Sequence, residues 1–229
     1  MQLAAHELNE LSELTMSCVN TITNMAYMLD HVQSQQFKSI LEKHFPYHVR
    51  DYNMKVEFLK SQQGPNNELP IFCLEGQLSN YLQSRVNQYQ PIQPRTQISE
   101  LNDREMATAY LLTLKRAGRE YAWATMEASN PRIRGFLETA FLMASSHAYE
   151  VYQYMVSMGY YPLEQANQMM TSKISNMYQV VPEEQERVNQ YAQRYQSPII
   201  GNSQFMYQNS NQDKYYNNNS NNYQNQFSY

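Results

Sequence analysis

Along the N-terminal part of the chain, apolar residues recur at alternating steps of three and four. Leu8, Leu11, Thr15, Cys18, Ile22, Met25, Leu29 and Val32 draw one seam with a single polar interruption, which predicts a helix over about 6–31. Phe37, Leu41, Phe45, His48, Tyr52, Val56 and Leu59 repeat the spacing and predict a second helix over about 34–62, with Ser34 as its N-cap. So short a connection makes the two helices antiparallel neighbours in a hairpin. Pro46 falls inside the second helix, where it removes a hydrogen bond at a cost of roughly 3 kcal/mol, so a kink is expected there.

The pattern then lapses into Gln, Pro and Asn over 63–98, with 71–88 as a marginal helix at most. It resumes behind a capping-box signature, Asn102 followed by Glu105. Ala107, Leu111, Leu114, Gly118, Tyr121, Thr125 and Ala128 predict a third helix over about 102–129. Asn130–Pro131 stops that helix and starts another, because Asn caps and Pro suits a first turn that needs no amide donor. The fourth, about 131–158, is expected to bury Ile133, Phe136, Ala140, Ala144, His147, Val151, Tyr154 and Met158, and to end at Gly159. Beyond it, 163–177 and 183–196 read as short amphipathic helices packed on the bundle. Residues 202–229, dominated by Asn, Gln, Tyr and Ser, are too polar to offset an ordering entropy of roughly 1–2 kcal/mol per residue and are expected to be disordered. The chain thus divides into an N-terminal hairpin (1–62), a Gln/Pro-rich crossover linker (63–98), a second hairpin (99–162), an accessory helical segment (163–201) and a low-complexity tail (202–229). The expected class is all-α.

Composition narrows the possible chemistry. With 229 residues and a formal charge of -4, the chain lacks the basic patch that displaces counterions from nucleic acid, so DNA and RNA are not expected partners. No apolar run is long enough to span a bilayer, and the start has neither a basic nor an apolar leader, so a soluble protein that is not exported is expected. The two Cys, Cys18 and Cys73, have neither CxxC nor Cys/His spacing, which fits a reducing compartment. The 14 Met read as core filler.

The second and fourth helices align at a common offset, pairing Phe37 with Phe136, His48 with His147, Asp51 with Glu150, Tyr52 with Val151 and Leu59 with Met158. Two related hairpins joined by a long linker would pack as a four-helix bundle with one long crossover, the connectivity of ferritin-like folds; two separate hairpins are the alternative. Residues 102–162 closely resemble the spore coat protein F family. The resemblance rests on the acidic start at Asp103 with an Ala/Leu-rich helix, Lys115, the Glu127, Pro131 and Arg134 junction, and the Tyr154–Met155 to Gly159–Tyr160–Tyr161 ending. It implies a ferritin-like helical fold, synthesis in the mother-cell cytoplasm and a place in the spore coat beside other coat proteins, with no established chemistry.

Ferritin-like bundles often hold two irons through Glu-x-x-His pairs, but none of the five His has a Glu three positions before it. What exists is the reverse order, His48-x-x-Asp51 and His147-x-x-Glu150. Pairing about the hairpin turns puts His48 near Val19 and His147 near Thr113, away from any carboxylate. Both are therefore expected to be buried histidines satisfied by Thr, Tyr or their own Asp or Glu; a metal site on the four residues is the sharper alternative. His44 and His48 also share a face, across Pro46. No Gly-rich phosphate loop, nucleophile elbow or triad context is present, so no catalytic, cofactor or metal residue and no cofactor is expected. The leading reading is a non-enzymatic coat component whose bundle and Tyr/Asn/Gln-rich tail join it to other coat proteins or to copies of itself, with tail Tyr and Gln open to cross-linking. A metal-dependent ferritin-like oxidase or storage protein is the alternative, and a regulator that uses the bundle to bind a partner is a third.

Overall fold

The computed structural model describes residues 3–61, 63–70, 89, 91–182, 187, 190 and 191. Its helices are α1 (Ala5–His31), α2 (Gln35–Lys60), α3 (Asp103–Glu127), α4 (Pro131–Ser157) and α5 (Gln168–Ser175). The first four lie within one unit, Met1–Gln165, and α5 within a second, Ala166–Tyr229. The segments 71–88 and 202–229 and nearly all of 183–196 fall outside the described residues, and with them the expectations placed there.

The helix ends follow from local chemistry. Ser34 Oγ accepts from Phe37 N and caps α2. Asn102 and Glu105 form the expected reciprocal box at α3, and Asn130 caps α4 with Pro131 in its first turn. Gly159 ends α4 at φ 69°, with Tyr160 N donating to Met155 O and Gly159 N to Val156 O, the paired bonds of a Schellman motif. α2 is one element across the exposed Pro46.

Neighbouring pairs are α1/α2, α3/α4, α1/α3 and α2/α4, so α1 sits diagonally from α4 and α2 from α3. Contacts along the helices set their directions. Phe37 near the start of α2 stacks on Tyr154 near the end of α4, while Phe58 near the end of α2 meets Phe136 near the start of α4. α2 and α4 are therefore antiparallel, and the end of α2 and the start of α3 lie at opposite ends of the bundle. This is the four-helix connectivity with one long crossover.

The buried stripes differ in detail from the apolar seams. On α1 the inward positions are Glu7, Leu11, Leu14, Cys18, Thr21, Met25 and Met28, whereas Leu8 is 47% exposed. On α2, His44, Asp51, Met54, Lys55 and Phe58 are buried in place of Phe45, Tyr52, Val56 and Leu59, which are half-buried. Met158 is exposed just past α4. α5 is shorter than the expected 163–177 segment and buries no residue.

Two carboxylates lock the ends of the bundle. Glu7 Oε1 accepts from Ser129 N (2.8 Å), Ser129 Oγ (2.8 Å) and Asn130 N (2.7 Å), and Oε2 accepts from Ala4 N (3.0 Å). Burial alone would raise this carboxyl, but the ring of donors holds it below the usual range. At the other end Asp103 accepts from Gln33 N (2.9 Å) and Ser34 N (2.7 Å). Each hairpin thus inserts a carboxylate into the turn of the other, and Glu7 with Asp103, Gln33 with Ser129 and Ser34 with Asn130 share one sequence spacing. That spacing is 96, three short of the 99 that relates the second and fourth helices.

Removing a charged acceptor from several amides is expensive. Glu7→Ala is expected to lower the unfolding free energy by about 3 kcal/mol and Asp103→Ala by about 2 kcal/mol. Glu13→Ala on an exposed face should stay within about 0.5 kcal/mol of the parent. Urea unfolding of the three variants checks the ranking, and equal losses at Glu7 and Glu13 would contradict it.

Candidate functional site: a buried polar layer

Two apolar clusters fill the bundle. One, near the α3–α4 turn, includes Leu11, Leu14, Met54, Phe58, Phe136 and Leu137; the other, near the α1–α2 turn, includes Met25, Met28, Phe37, Leu41, Met106 and Tyr154. Between them lies a polar layer built on one face of α2, where His44, His48, Asp51 and Lys55 succeed each other at helical spacing.

Asp51 and Lys55 are both fully buried, with Lys55 Nζ 2.5 Å from Asp51 Oδ1. The remaining protons and lone pairs are matched. Nζ also donates to Tyr121 OH (3.0 Å) and Cys18 Sγ (3.3 Å), while Asp51 Oδ2 accepts from Tyr121 OH (2.7 Å) and the Cys18 thiol (3.1 Å). The ammonium lies 4.8 Å from the centroid of the Tyr121 ring and 5.3 Å from that of Phe136. Burial alone would raise the Asp51 carboxyl, but Lys55 and the two hydrogen-bond donors hold it below its ordinary value. Burial pushes the Cys18 thiol up to about 12, with Lys55 opposing and Asp51 reinforcing, so it stays protonated.

The second half of the layer runs from the surface inward. Glu150 is partly exposed and takes an ion pair from Lys43 at 3.2 Å. Its Oε2 also lies 2.9 Å from His44 Nε2. His44 Nδ1 faces Tyr110 OH at 3.1 Å, that hydroxyl lies 2.9 Å from His48 Nε2, and His48 Nε2 is 3.4 Å from His147 Nδ1. The hydrogen bond from His44 holds the Glu150 carboxyl below its usual range, so it can only accept. That end sets the direction of the chain: His44 donates from Nε2 and accepts at Nδ1 from Tyr110, and Tyr110 accepts from His48 Nε2–H. The same nitrogen faces His147 Nδ1.

All three imidazoles are neutral in this arrangement. Burial lowers His44 despite the opposing pull of Glu150. It takes His48 down to about 4 and His147 well below its ordinary value, the latter helped by repulsion from the other two rings. Between pH 6.5 and about 4 an unfolded histidine holds a proton that folded His48 refuses. Stability therefore falls with falling pH in that window, by about 1.4 kcal/mol per unit for each such histidine. Asp51 acts lower: its contribution persists above 3.8 and is lost only as pH drops through its depressed folded value.

The structure joins His48 to His147, as their equivalent places suggest, and gives His48 a Tyr partner. It separates the two carboxylates, however. Asp51 is engaged by Lys55 and Glu150 by Lys43 and His44. The hydrogen bonds of His48 run between the hairpins, to Tyr110 and His147, because the polar face of α2 looks across the bundle. Apolar spacing misses Lys55 and Tyr110, and places Cys18 and Tyr121 on their seams without their polar roles. The signal present in the sequence is the run of four ionisable residues at core spacing on α2.

As a metal set the residues fit poorly. The His44 and His147 rings stack at 3.7 Å and 10°, so their in-plane lone pairs point along parallel planes. Asp51 is saturated, and the Lys55 ammonium already supplies the layer's cation. Among the described residues no group of three or more His, Cys, Asp or Glu is arranged to hold a metal ion.

Comparison with known proteins places the second hairpin. Residues 102–164 match the family model of the Coat F domain. The chain is 19% identical over 176 residues to the spore coat protein F-like protein YhcQ of Bacillus subtilis (strain 168), a match that covers 76% of this chain and 79% of that protein. Among solved structures it is similar to a candidate spore coat protein from Bacillus halodurans C-125, with a TM-score of 0.53 and 8% identity over 73% of this chain and 97% of that one. At that identity the likeness concerns the fold alone.

Removing one partner of the ion pair should be far worse than removing both. Asp51→Leu and Lys55→Met are each expected to lower the unfolding free energy by about 4 kcal/mol, while the double variant stays within about 1 kcal/mol of the parent. Urea titration of the three variants measures this. A double variant as unstable as the singles would contradict it.

Proposed function

We propose, from the match of residues 102–164 to the Coat F domain and the likeness to a spore coat protein F-like protein, that this chain is a non-enzymatic structural component of the bacterial spore coat. The observation that carries this reading is the Coat F match over 102–164, which spans α3, the junction clasped by Glu7, and α4. The polar layer supports it from the chemical side, since Asp51 is saturated by Lys55, Tyr121 and Cys18 and Glu150 is engaged by Lys43 and His44. In this reading the layer stabilises the bundle and neither binds a metal nor turns over a substrate.

Association is left to the outer faces. Trp123 (66% exposed) and Met126 (72% exposed) lie one turn apart on α3, with Leu112 exposed on the same helix and Met16 and Val19 on α1. Exposed apolar groups of this kind favour protein partners over free solution. We assign to them, and to the Asn/Gln/Tyr-rich 202–229 segment, the contacts with other coat proteins or with further copies of this chain. The acidic balance speaks against nucleic acid. Synthesis in the mother cell and deposition on the forespore complete the proposal.

Fractionation of purified mature spores, followed with an antibody to this protein, tests it. The protein is expected in the coat extract. Recovery in the soluble cell fraction, or near-stoichiometric iron or manganese on the purified full chain that is lost in His147→Ala, would overturn it.

A further inference from the structure

The Cys18 and Lys55 side chains meet in the sealed middle of the bundle with Sγ 3.3 Å from Nζ. Three features set this pair apart from an inert buried thiol. An amine stands beside the sulfur; Asp51 touches both groups, at 2.5 Å from Nζ and 3.1 Å from Sγ; and Tyr121 donates to the same carboxylate at 2.7 Å. The carboxylate lies one hydrogen bond from Nζ and can receive the proton that nitrogen releases as it is oxidised. The separation is too wide for a direct sulfur–nitrogen bond and leaves room for one bridging atom.

We propose that Cys18 and Lys55 are a covalent modification site at which molecular oxygen inserts one atom between them, giving an Nζ–O–Sγ cross-link that ties α1 to α2. The ammonium gives one proton to Asp51. Nitrogen and sulfur each then give up two electrons, the N–O and O–S bonds form, and the second oxygen atom leaves as water with one hydrogen from nitrogen and one from sulfur. The four electrons reduce one dioxygen molecule completely. Dioxygen is small and apolar enough to enter a packed interior without an open channel. A dithiol reverses the bridge: two equivalents return the amine, the thiol and one water.

The bridge has a clear consequence for folding. It closes the α1–α2 hairpin into a covalent loop and so restricts the unfolded chain. It also removes the ammonium charge, leaving a protonated Asp51 that keeps its hydrogen bonds with Tyr121.

Mass spectrometry on the full chain tests the proposal, with Cys73→Ser as background so that the other cysteine cannot compete. Air-exposed protein is expected to gain one oxygen and lose two hydrogens relative to protein kept anaerobic with dithiothreitol, and its Cys18 and Lys55 peptides should be joined. Its melting temperature should rise by roughly 5 °C and return after reduction. The gain should vanish in Cys18→Ala and also in Asp51→Leu/Lys55→Met, where the thiol remains without its amine. A folded, air-exposed chain with Cys18 as free thiol, or with oxygen added to Cys18 alone, would overturn the proposal.

Discussion

A lysine ammonium with no solvent exposure must find every partner inside the protein, and Lys55 does so with groups from three helices: Asp51 on α2, Cys18 on α1 and Tyr121 on α3. The cost of a buried charge left unpaired is several kcal/mol, so these helices tolerate little sliding. The Phe136 ring brings α4 against the same ammonium. The chain of contacts from Glu150 through His44, Tyr110 and His48 to His147 then ties α2, α3 and α4 in the adjoining half of the layer. Apolar packing alone would admit neighbouring registers, because Leu and Met contacts are forgiving. The polar layer makes one register correct, and the Glu7 and Asp103 clasps close the ends in that register.

The helices and their caps were legible because they depend on local chemistry. Ser34, the Asn102–Glu105 box, Asn130–Pro131 and Gly159 each satisfy or terminate backbone groups within a few residues, and they sit where spacing predicts. The inward faces of α1 and α2 were less legible. An apolar count assigns Leu8 and Tyr52 to the core and sends Glu7, Asp51 and Lys55 to solvent, since nothing local distinguishes a lysine that has a buried carboxylate from one that has water. Burial of these residues is decided by partners on other helices, far away in sequence. The His48–His147 contact could be anticipated from the duplication, yet Tyr110 and Tyr121 could not, for a Tyr at core spacing reads as apolar until its hydroxyl has a partner.

The same physics separates this bundle from the metal-carrying bundles it resembles in connectivity. A metal centre needs lone pairs aimed at a common point and carboxylates with oxygens to spare. Here an ammonium occupies the middle, one carboxylate is consumed by it, the other is drawn toward the surface by Lys43, and two imidazoles stack face to face. Such a core holds helices together, in keeping with the structural role proposed above.

The central claim is that the buried imidazoles are neutral structural members, and nitrogen-15 NMR of the imidazole rings across pH 5 to 8 tests it most directly. Burial at His48 and His147 predicts two rings that remain neutral through this range, and burial lowers His44 from its ordinary value; all three should be unmoved by added iron(II) or manganese(II). Protonation of the buried rings near pH 6.5, or a shift of their signals with metal, would contradict the claim and turn the layer into a working site.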